Sequence, residues 1–465
     1  MQLFLTDSKT KKKILFVPQK PPFVNMYVCG PTVYDDAHLG HARSAISFDL
    51  LYRLLLELGF KVKYARNITD IDDKILAKMK STGKSLQEIT QFYQKRFEEE
   101  MNQIGVLSPS VSPKATENIE PMQDLVDLLL EKNVAYQTLS GDIYLDTSKD
   151  KEYGKLSSKT QEDAKSRVDF SGKKNPKDFV LWKKSQPNDK VFFDYKMGSG
   201  RPGWHIECSA MIKKHLDNGG EFLCDIHGGG EDLFFPHHEN EDSQCRCGYN
   251  RPLAKYWLHN GFVQIDGEKM SKSLGNSFFL KDALKEHQGE AIRFYLASTY
   301  YRNDFSFNTQ DLSSSTKRLD KIYRLKMKLI GQKSSQPSKK FKEEFLSALC
   351  DDLNVSVALS LIDTLVKESN EKIEKNPKDR AFLQETLANI ELINRLLGVG
   401  KSDPYEFFQY GLSEEFKAKV QNLLEKRQLA KKEKKYKLAD EIREELKSLG
   451  VKIMDTATKV LWEKI

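Results

Sequence analysis

The sequence predicts an α/β protein built on a doubly wound parallel sheet, with an inserted connective segment and helical domains behind it. Three observations predict this. A strand, a helix and a second strand are written into residues 25–68. Strands and glycine-rich turns return over residues 201–310, after a stretch of different character. From about Leu312 the chain turns helical. A chain of 465 residues is also too long for one core.

Asn25-Met26-Tyr27-Val28-Cys29 reads as a buried strand, and a loop with Gly30 and Pro31 follows. From Arg43 to Leu58, the residues Ala45, Ile46, Leu50, Leu54 and Leu58 recur at helical spacing, with Leu51 and Leu55 beside them. That is an amphipathic helix, and Gly59 closes it. Lys61 to Ile68 alternates as a second strand. Such a βαβ unit implies a parallel, Rossmann-like sheet with a right-handed crossover. Ligands of such sheets bind at the carboxyl ends of the strands. Cys29, His38 and Thr69 all fall there.

The expected division follows. Residues 1–115 form the first half of the sheet domain, and 201–311 the second. Residues 116–200 are the insertion, with a helix from about Ile119 to Lys132, a short strand pair near Val134–Leu145 and a polar Lys- and Asp-rich stretch around 146–190. Residues 312–400 form a helical domain, with helices over 313–330, 341–350, 354–374 and 378–397. Residues 401–465 form a small C-terminal region, with one helix from Ser413 to Leu449 and a last short strand.

Hydrophobic content of 39% and aromatic content of 10% suit a globular protein. No run of about 18 apolar residues is present, so no membrane span is expected. The opening Met-Gln-Leu-Phe-Leu-Thr-Asp lacks a signal-peptide core, which makes the cytoplasm the expectation. Six cysteines are too few for a disulfide framework and read as free thiols or metal ligands. The net charge of +7 is unevenly spread. Residues 317–342 hold ten Lys or Arg and one acid, and 426–437 hold seven and one. Phosphate backbones attract such patches, although a lysine-rich face is also an ordinary solvated surface.

Two peptides carry the chemistry. His38-Leu39-Gly40-His41 lies at a helix start, where two imidazoles can meet phosphates, Gly40 admits a close approach and the helix dipole adds its field. On their own the histidines could equally cap the helix. Gly267-Glu268-Lys269-Met270-Ser271-Lys272-Ser273-Leu274-Gly275-Asn276 places two ammonium groups and two hydroxyls between glycine hinges, fit to close over a nucleotide. On its own, a pair of lysines is an ordinary surface loop. Together the two peptides form a clamp for a triphosphate whose charge grows in the transition state.

Six of the nine histidines cluster at 38, 41, 205, 227, 237 and 238. Phe235 to Glu241 looks like a first helical turn with Pro236 near its start, which puts His237 and Glu241 on one face. With Cys29 and Cys208 they make a donor set that suits Zn²⁺. The spacing is not that of a zinc finger, and two buried cysteines beside a phosphate-binding histidine fit the residues as well. Cys245 and Cys247, one residue apart with no further cysteine nearby, read as structural. Cys224 and Cys350 read as core or helix residues.

The two signature peptides resemble those of class I aminoacyl-tRNA synthetases. From about residue 22 to 310 the chain closely resembles the cysteinyl-tRNA synthetase family, and more loosely from there to the end. The matching stretches are Met26–Tyr34, Arg66–Lys74, Gly203–Met211, Asp225–Gly230, Phe235–Glu241 and His259–Asn276, with Ala439–Arg443 in a late helix. The resemblance implies ATP-dependent ligation of L-cysteine to tRNA(Cys) through cysteinyl-adenylate. It implies that Cys29, Cys208, His237 and Glu241 hold one Zn²⁺ per chain, which selects the substrate thiol over a serine hydroxyl. It implies that Thr69, Trp204 and His227 line the amino-acid pocket. His38, Gly40, His41 and Lys272 would bind ATP with its Mg²⁺, and His38, His41, Lys269 and Lys272 would serve catalysis. The helical region from 312 would grip the tRNA and its anticodon, in a monomer.

Departures are few. Leu39 stands for the usual Ile, a volume-conserving swap. Glu231 stands where Ser is common, and Asp455–Trp462 departs from the usual Gly-Thr before the last Trp. Three rivals are a paralogue that acylates an amino-sugar thiol precursor, a zinc hydrolase using His237, His238 and Glu241, and a catalytically dead RNA-binding protein. The basic helical tail argues against the first, and the lysine peptide against the second. The intact clamp argues against the third.

Overall fold

A computed structural model describes residues 1–158, 172–265, 278–455 and 460–464, and the backbone of Glu268 and Lys269. A hairpin of β1 (Phe4–Asp7) and β2 (Lys12–Leu15) opens the chain. The predicted βαβ unit follows as β3 (Phe23–Val28), α1 (Leu39–Glu57) and β4 (Lys61–Arg66), and β3 and β4 pair in parallel. Helix α1 buries Ile46, Leu50, Leu51, Leu54 and Leu55, the stripe read from the sequence. Gly59, at φ +88°, turns the chain back after it, a conformation that costs glycine little. Helices α2 (Asp73–Thr82) and α3 (Leu86–Gln103) form a hairpin beyond β4.

The insertion is more than the expected strand pair. After α4 (Ile119–Glu131), strands β5 (Ala135–Gln137), β6 (Ile143–Leu145), β7 (Phe179–Lys184) and β8 (Gly200–Pro202) form one antiparallel sheet. The stretch read as polar contains β7, whose Leu181 and Trp182 are buried against α4. Four apolar residues among lysines were too short a run to stand out from their surroundings.

Strand β8 leads into α5 (Trp204–Leu216), then β9 (Cys224–Gly230), the single turn α6 (Glu231–Leu233), α7 (Glu239–Tyr249) and β10 (Ala254–Asn260). The central sheet runs β10-β9-β3-β4 with every pairing parallel. Its order reverses between β3 and β9, where a doubly wound sheet opens its binding crevice. A small sheet of β11 (Val263–Ile265), β12 (Glu268–Lys269) and β13 (Phe305–Phe307) and helices α8 (Leu280–Glu286) and α9 (Gly289–Ala297) complete this half.

Helices α10 (Thr309–Lys328), α11 (Lys339–Cys350), α12 (Val355–Lys375) and α13 (Arg380–Leu397) match the expected series. Their apolar faces continue the core of the sheet domain. After the short α14 (Pro404–Phe408), the single expected helix from Ser413 to Leu449 is corrected to two, α15 (Glu414–Lys432) and α16 (Tyr436–Ser448). Lys434 turns between them at φ +57°. Val420 and Leu424 are buried in one cluster with Ile442 and Leu446 of the returning helix and with Val451 and Trp462 of the hairpin after it, and an unbroken helix would also crowd the like charges of Lys431, Lys432, Lys434 and Lys435. The single last strand is likewise a hairpin, β14 (Val451–Asp455) with β15 (Val460–Lys464). Among the described residues, no helix is long and apolar enough to cross a membrane.

Candidate active site and metal centre

The reversal point gathers donors that lie far apart in the chain. Tyr27 of β3 pairs with His227 of β9, and the Cys29 N–H donates to the Gly228 carbonyl at 3.0 Å. Gly228 lets α1 approach this far, because a Cβ there would stand 2.2 Å from the Phe48 ring. Helix α5 carries Trp204 and Cys208 one turn apart, on the face turned toward this edge.

The expected turn at 235–241 is corrected. Phe235 is extended (φ −139°, ψ 131°), and the helical run restarts after it. His237 and Glu241 still fall four apart on one face, with Nε2 and Oε1 separated by 2.6 Å.

Four donors converge as expected. Cys29 Sγ lies 3.8 Å from Cys208 Sγ and 3.8 Å from Glu241 Oε1, and Cys208 Sγ lies 3.7 Å from His237 Nε2. A zinc tetrahedron with sulfur bonds of about 2.3 Å has an S–S edge of about 3.8 Å. The cysteines are free, not bridged, so the sulfur spacing and the donor types fit that ion. The electrostatics divide the four, with Glu241 and Cys208 drawn toward their anionic forms and Cys29 and His237 toward their protonated ones. Despite burial, His237 and His227 hold the Glu241 carboxyl well below its usual range. The hydrogen bond from Cys29 pulls the Cys208 thiol down to about 7 against its burial. Burial pushes the Cys29 thiol up, and the Glu241 carboxylate raises the His237 imidazole to about 10 against its burial, so a divalent cation held here would displace protons from those two donors.

A second ring of histidines surrounds the four, and it was only partly legible. His238, which the sequence offered only to the hydrolase reading, brings Nε2 within 3.4 Å of Cys29 Sγ, and its Nδ1 meets His259 Nε2 at 2.8 Å. With Cys29, His227 and Glu241 it forms a second donor group that shares two members with the first. His205 meets His237 Nδ1 to Nδ1 at 2.9 Å. The adjacency of His237 and His238 was a signal for this, but a regular helix would have turned their side chains apart.

The three expected pocket residues border the same place. His227 is fully buried, with Nδ1 3.2 Å from the Tyr27 carbonyl and Nε2 2.5 Å from Glu241 Oε2. The Trp204 indole, 39% exposed, lies on the His237 ring with centroids 4.0 Å apart. Thr69 is buried, and its hydroxyl donates to Glu207 Oε2 at 3.2 Å. Glu207, which sequence reasoning passed over, is itself buried, and burial holds its carboxyl well above the usual range.

A cleft of about 490 Å³ joins Cys29 to the start of α1, lined by Cys29 and Trp204 together with His38, Gly40 and His41. The histidines do cap the helix. His38 Nδ1 accepts the Gly40 N–H and His41 Nδ1 accepts the His38 N–H, each at 3.1 Å, and the rings stack 3.8 Å apart. Capping and phosphate contact are compatible, since a lone pair on Nδ1 places the proton of a neutral ring on Nε2, the donor a phosphate oxygen needs. The Lys269 backbone pairs with Gln264 in the short β11–β12 ladder. Lys272, with Gly267 and Gly275, lies outside the described residues.

Residues 15–317 match a family described as the tRNA synthetases class I (C) catalytic domain. The cysteine–tRNA ligase of a Nitratiruptor species is 56% identical over 465 residues, covering all of both chains. The chain belongs to the cysteine–tRNA ligase family. The ligase of a Sulfurovum species is 53% identical, again over the full length of both. Residues 344–400 match the DALR domain, and 413–462 the cysteinyl-tRNA ligase anticodon binding domain.

Among solved structures, the fold is shared with Mycobacterium tuberculosis methionyl-tRNA synthetase in complex with methionyl-adenylate. That likeness has a TM-score of 0.59 at 12% identity, over 83% of this chain and 91% of that one. The class I fold of a cysteine–tRNA ligase thus stands, and the zinc-hydrolase and dead-protein readings fall away.

Proposed function

We propose that this enzyme activates L-cysteine with ATP and transfers it to tRNA(Cys). A cysteine carboxylate oxygen attacks the α-phosphorus, the bond to the bridging oxygen breaks, and pyrophosphate leaves with Mg²⁺. A hydroxyl of the terminal adenosine then attacks the acyl carbon and AMP departs. The observation that carries this reading is the meeting of Cys29, Cys208, His237 and Glu241 in one donor group, with Cys29 lining the same cleft as His38 and His41.

A Zn²⁺ ion held by those four residues supplies a soft centre that prefers a thiol to a hydroxyl, where ordinary contacts would discriminate by only about 1–3 kcal/mol. Thr69, Trp204 and His227 shape the pocket around the amino acid. The Nε2–H groups of His38 and His41 donate to phosphate oxygens, with Gly40 leaving room for the nucleotide. Lys269 and Lys272 neutralise charge on the departing pyrophosphate.

The proposed division is catalytic halves over 1–115 and 201–311, the insertion over 116–200, a tRNA-binding helical domain over 312–400 and a small C-terminal region over 401–465. The enzyme acts as a monomer in the cytoplasm, where thiols stay reduced. Acylation of purified tRNA(Cys) with labelled cysteine tests the reading; an enzyme that charged the thiol precursor of an amino sugar and left tRNA bare would refute it.

A further inference from the structure

A soft metal explains why a thiol is preferred to a hydroxyl, but not why one thiol is preferred to another. Homocysteine carries the same sulfur on one more methylene. Softness cannot tell the two apart, so length has to be read by a fixed distance elsewhere in the pocket.

A chain of hydrogen bonds beside the cysteines sets such a distance. Asn67 follows directly after β4 and is buried. Its Oδ1 accepts the Gly30 N–H at 2.8 Å, and its Nδ2 donates to the Thr69 hydroxyl at 3.2 Å. Thr69 in turn donates to Glu207 Oε2 at 3.2 Å. Gly30 is the residue after Cys29, and Glu207 the residue before Cys208. The two cysteines close the ring, Sγ to Sγ at 3.8 Å.

This ring has little room to give. Asn67, Thr69 and Glu207 are each no more than 2% exposed. A Cβ on Gly30 would stand 1.7 Å from the Asn67 carbonyl oxygen, so the two backbones are in contact. The Thr69 N–H donates to the Pro31 carbonyl, and the Val33 N–H to the Thr69 carbonyl, each at 3.1 Å. Thr69 is thus tied to the peptide that carries Cys29 through backbone and side chain alike. A buried polar network whose members satisfy one another is rigid. Neither bond of Asn67 uses a donor atom of the metal group, so the ring can be opened there without removing a ligand.

We infer that Asn67 and Glu207 are positioning residues that hold the Thr69 hydroxyl at a set distance from the metal donors, so that the pocket accepts cysteine and rejects its longer homologue. The inference deepens the ligase reading above and rests on it. It is tested with Asn67→Ala, Glu207→Ala and Glu207→Gln, with zinc content measured in each. Cysteine and homocysteine are compared in pyrophosphate exchange and in equilibrium binding.

The preference for cysteine should fall roughly tenfold or more in Asn67→Ala and Glu207→Ala while zinc stays bound. Glu207→Gln keeps an acceptor for the Thr69 hydroxyl and should retain most of the preference. A preference unchanged in both alanine variants, or one that falls only together with zinc, would overturn the proposal. So would a Glu207→Gln enzyme as permissive as Glu207→Ala, or equal use of both thiols by the unaltered enzyme. The two Glu207 variants keep the test decisive if Asn67→Ala fails to fold. Absence of cysteine-dependent exchange in the unaltered enzyme would instead strike the ligase reading.

Discussion

The Trp204 indole lies nearly flat on the His237 imidazole, 23° from parallel. One face of that imidazole is thereby covered by a side chain that also lines the cleft. Trp204 gives the metal no donor atom, so its removal separates pocket shape from metal retention. Trp204→Ala should raise the KM for cysteine roughly tenfold while bound zinc stays stoichiometric, and Trp204→Phe should do less. Steady-state exchange kinetics with metal analysis check this; loss of the metal, or an unmoved KM, would count against it.

His38 caps α1 and faces the cleft, so its two roles should come apart by substitution. Asn keeps an acceptor for the Gly40 N–H but lacks the imidazole Nε2–H. His38→Asn should melt close to the unaltered enzyme and lose exchange on the order of a hundredfold. His38→Ala should also lose about 1 kcal/mol of stability. Thermal melts beside exchange rates decide; equal stability in both variants would refute the cap.

Arg293 of α9 is fully buried and pairs with Asp49 of α1. It also donates to the carbonyls of Leu397, at the end of α13, at 2.6 Å and Gly105 at 3.1 Å. One guanidinium thus fastens the helical region to the sheet domain. Arg293→Met should cost about 2 kcal/mol or more, because the Leu397 and Gly105 carbonyls each lose a donor while Asp49 keeps Arg53 at 2.7 Å and the Leu107 N–H at 2.8 Å. Urea unfolding measures it, and an unchanged midpoint would contradict the role.

Burial pushes the Glu100 carboxyl up to about 7, only partly offset by Arg96. The folded state therefore holds this proton more tightly than the unfolded chain. Its contribution to stability is full below the unfolded pKa, near pH 4.5, and is lost as pH rises through about 7. Glu100→Gln should stabilise the protein at pH 8 and change little at pH 4. Melting temperatures of both proteins across that range test the sign.

The sheet and most helices were legible because their evidence is local. Ile46, Leu50 and Leu54 declare the buried face of α1 by spacing alone. The turn at Lys434 was not, because periodicity continues across it and only packing of Val420 and Leu424 against Ile442 and Leu446 shows the fold-back. Cys29, Cys208, His237 and Glu241 could be named by family resemblance, but their meeting depends on β3 and β9 becoming neighbours, which no spacing encodes. The pairing of Arg293 with Asp49, and the link from Gly30 through Asn67 and Thr69 to Glu207, are tertiary facts without a sequence signature.

The most direct test of the central claim measures cysteine-dependent exchange of labelled pyrophosphate into ATP, with serine as control and zinc quantified in the same preparation. The expected result is one zinc per chain, exchange with cysteine and little with serine, and loss of both metal and exchange in Cys208→Ser. Exchange with cysteine that survives complete removal of the metal would contradict it.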